Sequence, residues 1–247
     1  MTGAHFDHCL RGEESGADAE FCKNLCERLG VAFRTEKRDV AAFASREKTG
    51  TEDAARKLRY DFLKRVSDER GFAAILTGHT ADDQAETVLA NFFRGSKLRG
   101  LSGIPKENGR ILRPFLELKK STLLAYLEEL GQDYRTDSSN ADPAYLRNRI
   151  RNRIVPEIET FNPGISSTVS RFAQYAFELD EYLANEVFAY LDAQKEPKTF
   201  EIADFARLTT FFKKEVLSRL YAEANEGGVG LSEGMVSEML RFCSADF

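Results

Sequence analysis

Apolar residues at Ala17, Phe21, Leu25 and Leu29 recur at every fourth position, a spacing that predicts an amphipathic helix over 15–29 closed by Gly30 in a left-handed cap. Ahead of it, the short run Ala4 to Phe6 reads as the end of a strand, and Val31-Ala32-Phe33 reads as a second strand. Another helix is predicted from Thr51 to Arg70, with Ala55, Leu58, Phe62 and Val66 on one face and Gly71 as its stop. Phe72 to Thr77 is short, continuous and apolar, the pattern of a strand covered on both faces in a parallel sheet, and a helix from Ala81 to Arg94 follows it. Beyond Gly100 the chain turns loop-like through Gly103, Pro105, Asn108 and Gly109. A strand Ile111-Leu112 stops at Pro114, and a helix spans about Lys119 to Leu130.

Strands alternating with helices of this length predict an α/β fold with a doubly wound, mostly parallel sheet, whose ligands bind beyond the carboxyl ends of the strands. That rule points to Asp7 to Arg11 and to Gly78 to Glu86 as the site. From Asn162-Pro163-Gly164 onward the patterning is helical only. Val169, Phe172, Ala173, Ala176, Leu179, Leu183 and Val187 form one stripe, Pro197 interrupts it, and further helices are expected at about 200–225 and 232–242. The expected domains are an α/β domain over 1–161 and a smaller all-helical one over 162–247.

The 247 residues, 42% hydrophobic with 19 Phe and 8 Tyr, suffice for a packed core and argue against disorder. No run approaches the roughly 18 apolar residues of a membrane span, and the start lacks the regions of a signal peptide, so a cytoplasmic protein with no membrane partner is expected. Four cysteines are too few for a secreted disulfide scaffold. Cys22 and Cys26 sit beside Phe21 and Leu25 at helical period, which favours core packing over zinc. The net charge of −5 is uneven. Residues 94–153 carry thirteen basic and seven acidic side chains, so a basic middle able to hold a polyanion is set in an acidic protein.

Thr77-Gly78-His79-Thr80-Ala81-Asp82-Asp83-Gln84-Ala85-Glu86-Thr87 leaves the buried strand and enters a helix. Thr80 with Asp83 is a capping box, and acids in a first turn complement the helix dipole. The box does not account for Asp82, Asp83 and Glu86 together, because like charges so close repel. A cation or a hydrogen-bond donor is the remedy, such as magnesium at Asp82 or the edge of a nucleobase. Gly78 at the strand end leaves room for a ligand against the backbone. Arg56 and Arg59, three apart in the preceding helix, are able to neutralise phosphate if its amino end borders the cleft. Tyr145-Leu146-Arg147-Asn148-Arg149-Ile150-Arg151-Asn152-Arg153 holds four arginines and no acid. Some of these can pair with Asp137 or Asp142, and others can meet a phosphate backbone, together with Arg94, Lys97, Arg99 and Arg113.

These segments make the chain resemble the bacterial tRNA(Ile)-lysidine synthetases of the N-type ATP pyrophosphatase superfamily. The match is carried by His5-Phe6-Asp7-His8 with Leu10-Arg11-Gly12, Glu52 to Tyr60, Gly78 to Thr87, Phe93-Arg94-Gly95, Arg113-Pro114, Asp137-Ser138-Ser139-Asn140, Arg147-Asn148 with Ile150-Arg151, and Asn162-Pro163. The resemblance implies an ATP- and Mg2+-dependent ligase. It would adenylate the C2 oxygen of the wobble cytidine in tRNA(Ile) and let free L-lysine displace AMP. It further implies catalytic roles for Asp83, Glu86, His79 and Arg59, a nucleotide beside Gly78, His79 and Phe6, and RNA against Arg94, Arg113, Arg147, Asn148 and Arg151. A homodimer is left open. The family's Ser-Gly-Gly-x-Asp-Ser loop has no counterpart in these residues, which leads us to expect a truncated sequence with weak or no pyrophosphate chemistry. Two other classes compete: a non-catalytic RNA-binding remnant, and a tRNA-thiolating pyrophosphatase that would need reactive cysteines.

Overall fold

In the computed structural model, which describes residues 1–10, 12–136, 146–194, 196, 198–225 and 231–243, strand β1 (Thr2–Asp7) pairs in parallel with β2 (Ala32–Lys37). Helix α1 (Glu13–Arg28) supplies the crossover that parallel neighbours require, and Gly30 at φ +65° lets the chain reverse after it. Both strands extend beyond their apolar cores, since backbone pairing carries Arg34 to Lys37 along although their side chains are polar. The periodicity does not announce α2 (Val40–Glu47). Its eight residues are too few to show a period, and it is capped by Asp39, whose side chain accepts the Ala42 N–H at 2.9 Å.

Helix α3 (Thr51–Arg70) has the predicted bounds and ends at Gly71 with φ +64°. Its buried Ala54, Phe62 and Val66 pack with Phe6, Val40 and Ala44, while Ala55 and Leu58 lie at the margin of that cluster.

The single sheet expected from the sequence is two sheets among the described residues. One is the β1–β2 pair. In the other, β5 (Ile111–Leu112) lies between β3 (Ile75–Leu76), parallel to it, and β4 (Glu107–Asn108), antiparallel. The strand predicted over 72–77 shrinks to two residues for a definite reason. Phe72 gives its N–H to the Ser67 carbonyl, and its own carbonyl accepts from Ser67 Oγ, so its backbone closes α3 and cannot join a ladder. Nor is the strand covered on both faces, since Ile75 is buried and Leu76 is 64% exposed.

The remaining helices are α4 (Ala81–Phe93), α5 (Leu98–Leu101), α6 (Lys120–Glu129), α7 (Leu146–Arg149), α8 (Val155–Glu159), α9 (Ile165–Asp192), α10 (Ile202–Arg207), α11 (Thr210–Ala224) and α12 (Glu233–Cys243). A π-helical turn, Ile150–Ile154, joins α7 to α8. Two compact units result. One is Met1–Ala90 with Ile104–Ser170, and the other is Asn91–Gly103 with Arg171–Phe247; the boundary read from the sequence at 161/162 falls inside the first. The second unit has its own core of Val187, Phe205, Val216 and Leu217, with Phe200 stacked on Phe205 at 4.3 Å. Pro197, Arg11 and residues 137–145 lie outside the described residues, as do the expectations placed on them.

Phe6→Ala should destabilise the protein by about 3–5 kcal/mol, the usual cost of deleting a packed aromatic ring. The exposed Phe93→Ala should cost less than about 0.5 kcal/mol. Urea unfolding followed by circular dichroism separates the two.

A carboxylate–guanidinium cluster as the candidate active site

Helix α4 starts where the sequence places it, and the capping box is present. Thr80 donates from both its backbone N–H and its hydroxyl to Asp83 Oδ2, each at 2.9 Å, and the Ala81 N–H goes to the Leu118 carbonyl. The three acids that follow part company. Asp82 accepts the Lys120 N–H at 2.7 Å, capping α6, and its other oxygen accepts from Ser166 Oγ at 3.2 Å. Asp83 turns its Oδ1, and Glu86 both its oxygens, towards the α7–π segment.

There Arg151 meets Glu86 with two nearly parallel bonds, Nε to Oε1 at 2.6 Å and Nη2 to Oε2 at 2.8 Å, and reaches Asp83 Oδ1 at 3.4 Å. Arg147 approaches both carboxylates at 3.7 Å. The remedy for the crowded acids is thus a pair of arginines from the chain itself. Arg147 and Arg151 share a face at a spacing of four, while Arg149 and Arg153 are exposed. Buried Ile150 anchors the segment. The wide turn beside it has a local cause: Pro156 has no N–H for the Asn152 carbonyl, and Val155 bonds back five residues to Ile150.

Burial pushes the Glu86 carboxyl above the usual range, against the pull of its Arg151 bonds and charge. The Arg151 guanidinium, which burial would lower, is held above its ordinary value by those bonds to Glu86. His79 stands at the same junction with Nδ1 3.0 Å from Thr77 Oγ1. Burial takes its pKa down to about 4, and the positive charges of Arg113, Arg59 and Arg56 add to the fall while Asp83 opposes it. At neutral pH His79 is therefore an uncharged hydrogen-bonding group. Arg59 is itself lowered, mainly by burial, with Arg56 and Arg147 adding to the effect. A Cβ at Gly78 would meet nothing within 4 Å, so the space beside that backbone is open.

The structure thus gathers Asp83, Glu86, Arg147 and Arg151, with neutral His79 and the charge of Arg59 coupled to the same region. Other expectations meet different surroundings. Phe6, expected beside a nucleotide, is a core residue with its ring 5.8 Å from Phe62. Arg113, expected against RNA, is 2% exposed and donates to the Pro105 carbonyl at 2.6 Å. Arg147 and Arg151 face acids, and the outward arginines of that segment are 149 and 153. Asn148 is half-buried beside them, and Arg94 is exposed in the second unit. Asp82, expected to hold magnesium, spends its oxygens on α6 and Ser166, and among the described residues no three potential ligands assemble for a metal. The site missed from the sequence was the inward use of the two arginines. Their spacing of four marked a shared face but not what that face meets.

Comparison with known proteins follows from this geometry. A family model described as the PP-loop domain matches residues 1–158. The tRNA(Ile)-lysidine synthase of Chlorobaculum tepidum is 37% identical over 221 residues, covering 87% of this chain and 67% of that protein. That of Deinococcus deserti is 42% identical over 180 residues, covering 73% and 33%. That of Caldanaerobacter subterraneus is 32% identical over 241 residues, covering 96% and 52%. The chain therefore spans between a third and two thirds of the length of these relatives. Among solved structures, the U34-tRNA thiolase NcsA of Methanococcus maripaludis, with its [4Fe-4S] cluster, superposes with a TM-score of 0.58 at 17% identity, covering 71% of this chain and 61% of that one. That likeness concerns the fold alone. No helix among the described residues is long and apolar enough to cross a membrane.

Two outcomes are expected. Glu86→Gln leaves Arg151 with only the longer Asp83 contact as counter-charge and should cost about 2–3 kcal/mol by urea unfolding, less than for a fully buried pair because Arg151 is a third exposed. His79, neutral in the folded state, contributes stability that is complete above its unfolded pKa near 6.5 and is lost as pH falls towards about 4. In His79→Gln the decline of the urea midpoint between pH 6.5 and 4 should be shallower than in the wild type.

Proposed function

The chain belongs to the PP-loop family and, within it, to the tRNA(Ile)-lysidine synthases, and from that membership we propose that it takes part in joining lysine to C2 of the wobble cytidine of tRNA(Ile) at the expense of ATP. The observation that carries this reading is the Asp83–Glu86–Arg147–Arg151 cluster opening beside Gly78 and His79 at a strand-to-helix junction.

The chemistry runs in two balanced steps. The C2 oxygen of cytosine attacks the α-phosphorus of ATP, so that a P–O bond forms as pyrophosphate leaves. The lysine amine then forms a bond to C2 while the C–O bond breaks and AMP departs, the amine losing its protons. C2 is a weak electrophile until its oxygen becomes a phosphate ester, and adenylation supplies that leaving group.

The residues divide this work by how firmly each is held. Glu86, 3% exposed and bound at both oxygens, positions Arg151. Asp83 is less buried, with one oxygen fixed by Thr80 and the other facing guanidinium groups at 3.4 and 3.7 Å. It is the carboxylate able to exchange an arginine contact for an incoming ammonium group and to take up its proton. Neutral His79 is suited to hydrogen-bonding a base or ribose, and Arg59 to drawing in phosphate charge. Among the described residues no group of three protein ligands assembles for a metal, and no step here is routed through a magnesium ion. The thiolation alternative finds little support in Cys22, whose thiol is pushed up by burial, by Cys26 and by Asp18, the opposite of the lowering that activates a thiol.

Radiolabelled lysine, ATP and a transcript of tRNA(Ile) bearing C34 test the proposal. Acid-precipitable label should accumulate, and Asp83→Asn should cut the rate at least a hundredfold while the melting temperature moves by no more than a few degrees. An Asp83→Asn protein as fast as the wild type would remove the carboxylate from the mechanism. No incorporation by the wild type would remove the activity from this chain.

A further inference from the structure

Helix α3 buries Phe62 and Val66 on one face, and on another it presents Asp53, Arg56, Lys57, Tyr60, Asp61 and Lys64 at helical spacing. This second face, with Asn108, Ile111 and Arg113 from the β4–β5 hairpin and its exit, encloses a pocket of about 370 Å³. We infer that this pocket binds a phosphate group, with Arg56 and Lys64 at its rim and the charge of Arg113 beneath.

Charge accounting within the pocket supports this. One lining cation and two nearby ones are matched: Lys57 with Asp61 at 3.2 Å, Lys106 with Glu117 at 3.0 Å, and Arg110 with Asp68. Arg56, Lys64 and Arg113 have no ion-pair partner among the described residues, which leaves Asp53 as the one lining acid not already taken by a pocket cation. Arg113 is the sharper anomaly. A guanidinium held at 2% exposure, with Nη1 on the Pro105 carbonyl, keeps a buried Nε–H with no acceptor, and the buried hydroxyl of Tyr60 is equally unpartnered. Burying a cation without a counter-ion, and donors without acceptors, is costly. An oxyanion seated between Arg56 and Arg113 offsets the charge and offers acceptors. Arg56, 5.0 Å from the centre of the Tyr60 ring, is already held against the pocket wall.

Two of the pocket's cations, Arg113 and Arg56, also lower the pKa of His79 beyond what burial does, so their charge reaches the candidate active site. Two polyanions carry the required group: the RNA backbone, in which case the inference rests on the reading above, and the phosphates of a nucleotide or pyrophosphate. The pocket extends that reading by giving the polyanion a hold on α3, separate from the acids of α4.

The test uses the whole chain in three forms: wild type, the double variant Arg56→Gln/Lys64→Gln, and Arg70→Gln on the same helix beyond the pocket. A labelled anticodon stem-loop with C34 is followed by fluorescence anisotropy, and ATP and inorganic pyrophosphate by calorimetry. In the double variant at least one of these sources should bind fivefold or more weakly with a flatter salt dependence, and Arg70→Gln should leave affinity unchanged. A loss confined to RNA assigns the backbone, and a loss confined to ATP and pyrophosphate assigns the nucleotide; both sustain the site. Undiminished affinity in the double variant, an equal loss in Arg70→Gln, or a wild type that binds none of the three overturns it. Undiminished RNA affinity alongside lysine incorporation by the wild type would sink the pocket and leave the ligase reading standing. Failure of incorporation with intact, variant-sensitive phosphate binding would do the reverse.

Discussion

Two hydrogen bonds between Arg151 and Glu86 tie the start of α4 to a helix that lies more than sixty residues further along the chain. Each neighbouring feature leans on this contact. The amino end of α4 favours acids through its dipole, but three acids within two turns would repel one another unless their charge were met. Asp82 is satisfied by α6 and Ser166, which frees Asp83 and Glu86 to face the arginines. Because Glu86 is almost wholly buried, its charged form depends on Arg151, and Arg151 in turn keeps its place through Glu86. Loss of either partner strands a charge rather than merely deleting a contact.

Much of the α/β unit was readable from periodicity because its helices are amphipathic and end at glycines. The bounds of α3, its stop at Gly71 and the capping box at Thr80–Asp83 follow from such local rules. The sheet was less readable. A run of apolar residues from Phe72 to Thr77 has the composition of a buried strand, yet the closing bonds of α3 claim Phe72, and no pattern of hydrophobicity records that competition. Helix α2 escaped notice for the opposite reason, being too short to show a period.

At the site, the sequence marked the right acids and arginines but could not join them. The four-residue spacing of Arg147 and Arg151 puts them on one face, and nothing local says whether that face meets solvent, nucleic acid or carboxylates. The answer depends on Glu86, a long-range partner. Phe6 and Arg113 show the same limit from the other side. Both lie in segments that resemble a family motif, and the fold buries both, the one as packing and the other as an unmatched charge.

The charges of this unit fall into two populations. Asp83 and Glu86 are met by Arg147 and Arg151, and that cluster carries its own balance. Arg56, Arg59 and Arg113 have no acidic partner among the described residues, and their field reaches His79 strongly enough to help keep the imidazole neutral. A protein with more acids than bases could have paired them internally. Leaving them unpaired costs stability, since a buried guanidinium without a counter-ion is among the more expensive arrangements a fold tolerates. Under the proposed function, the deficit is met when a phosphate group arrives with the substrate. A reaction that joins a phosphate-rich polymer to a cationic amino acid calls for such a division, with free positive charge to receive the one and acids held ready, by exchangeable arginine contacts, to receive the other.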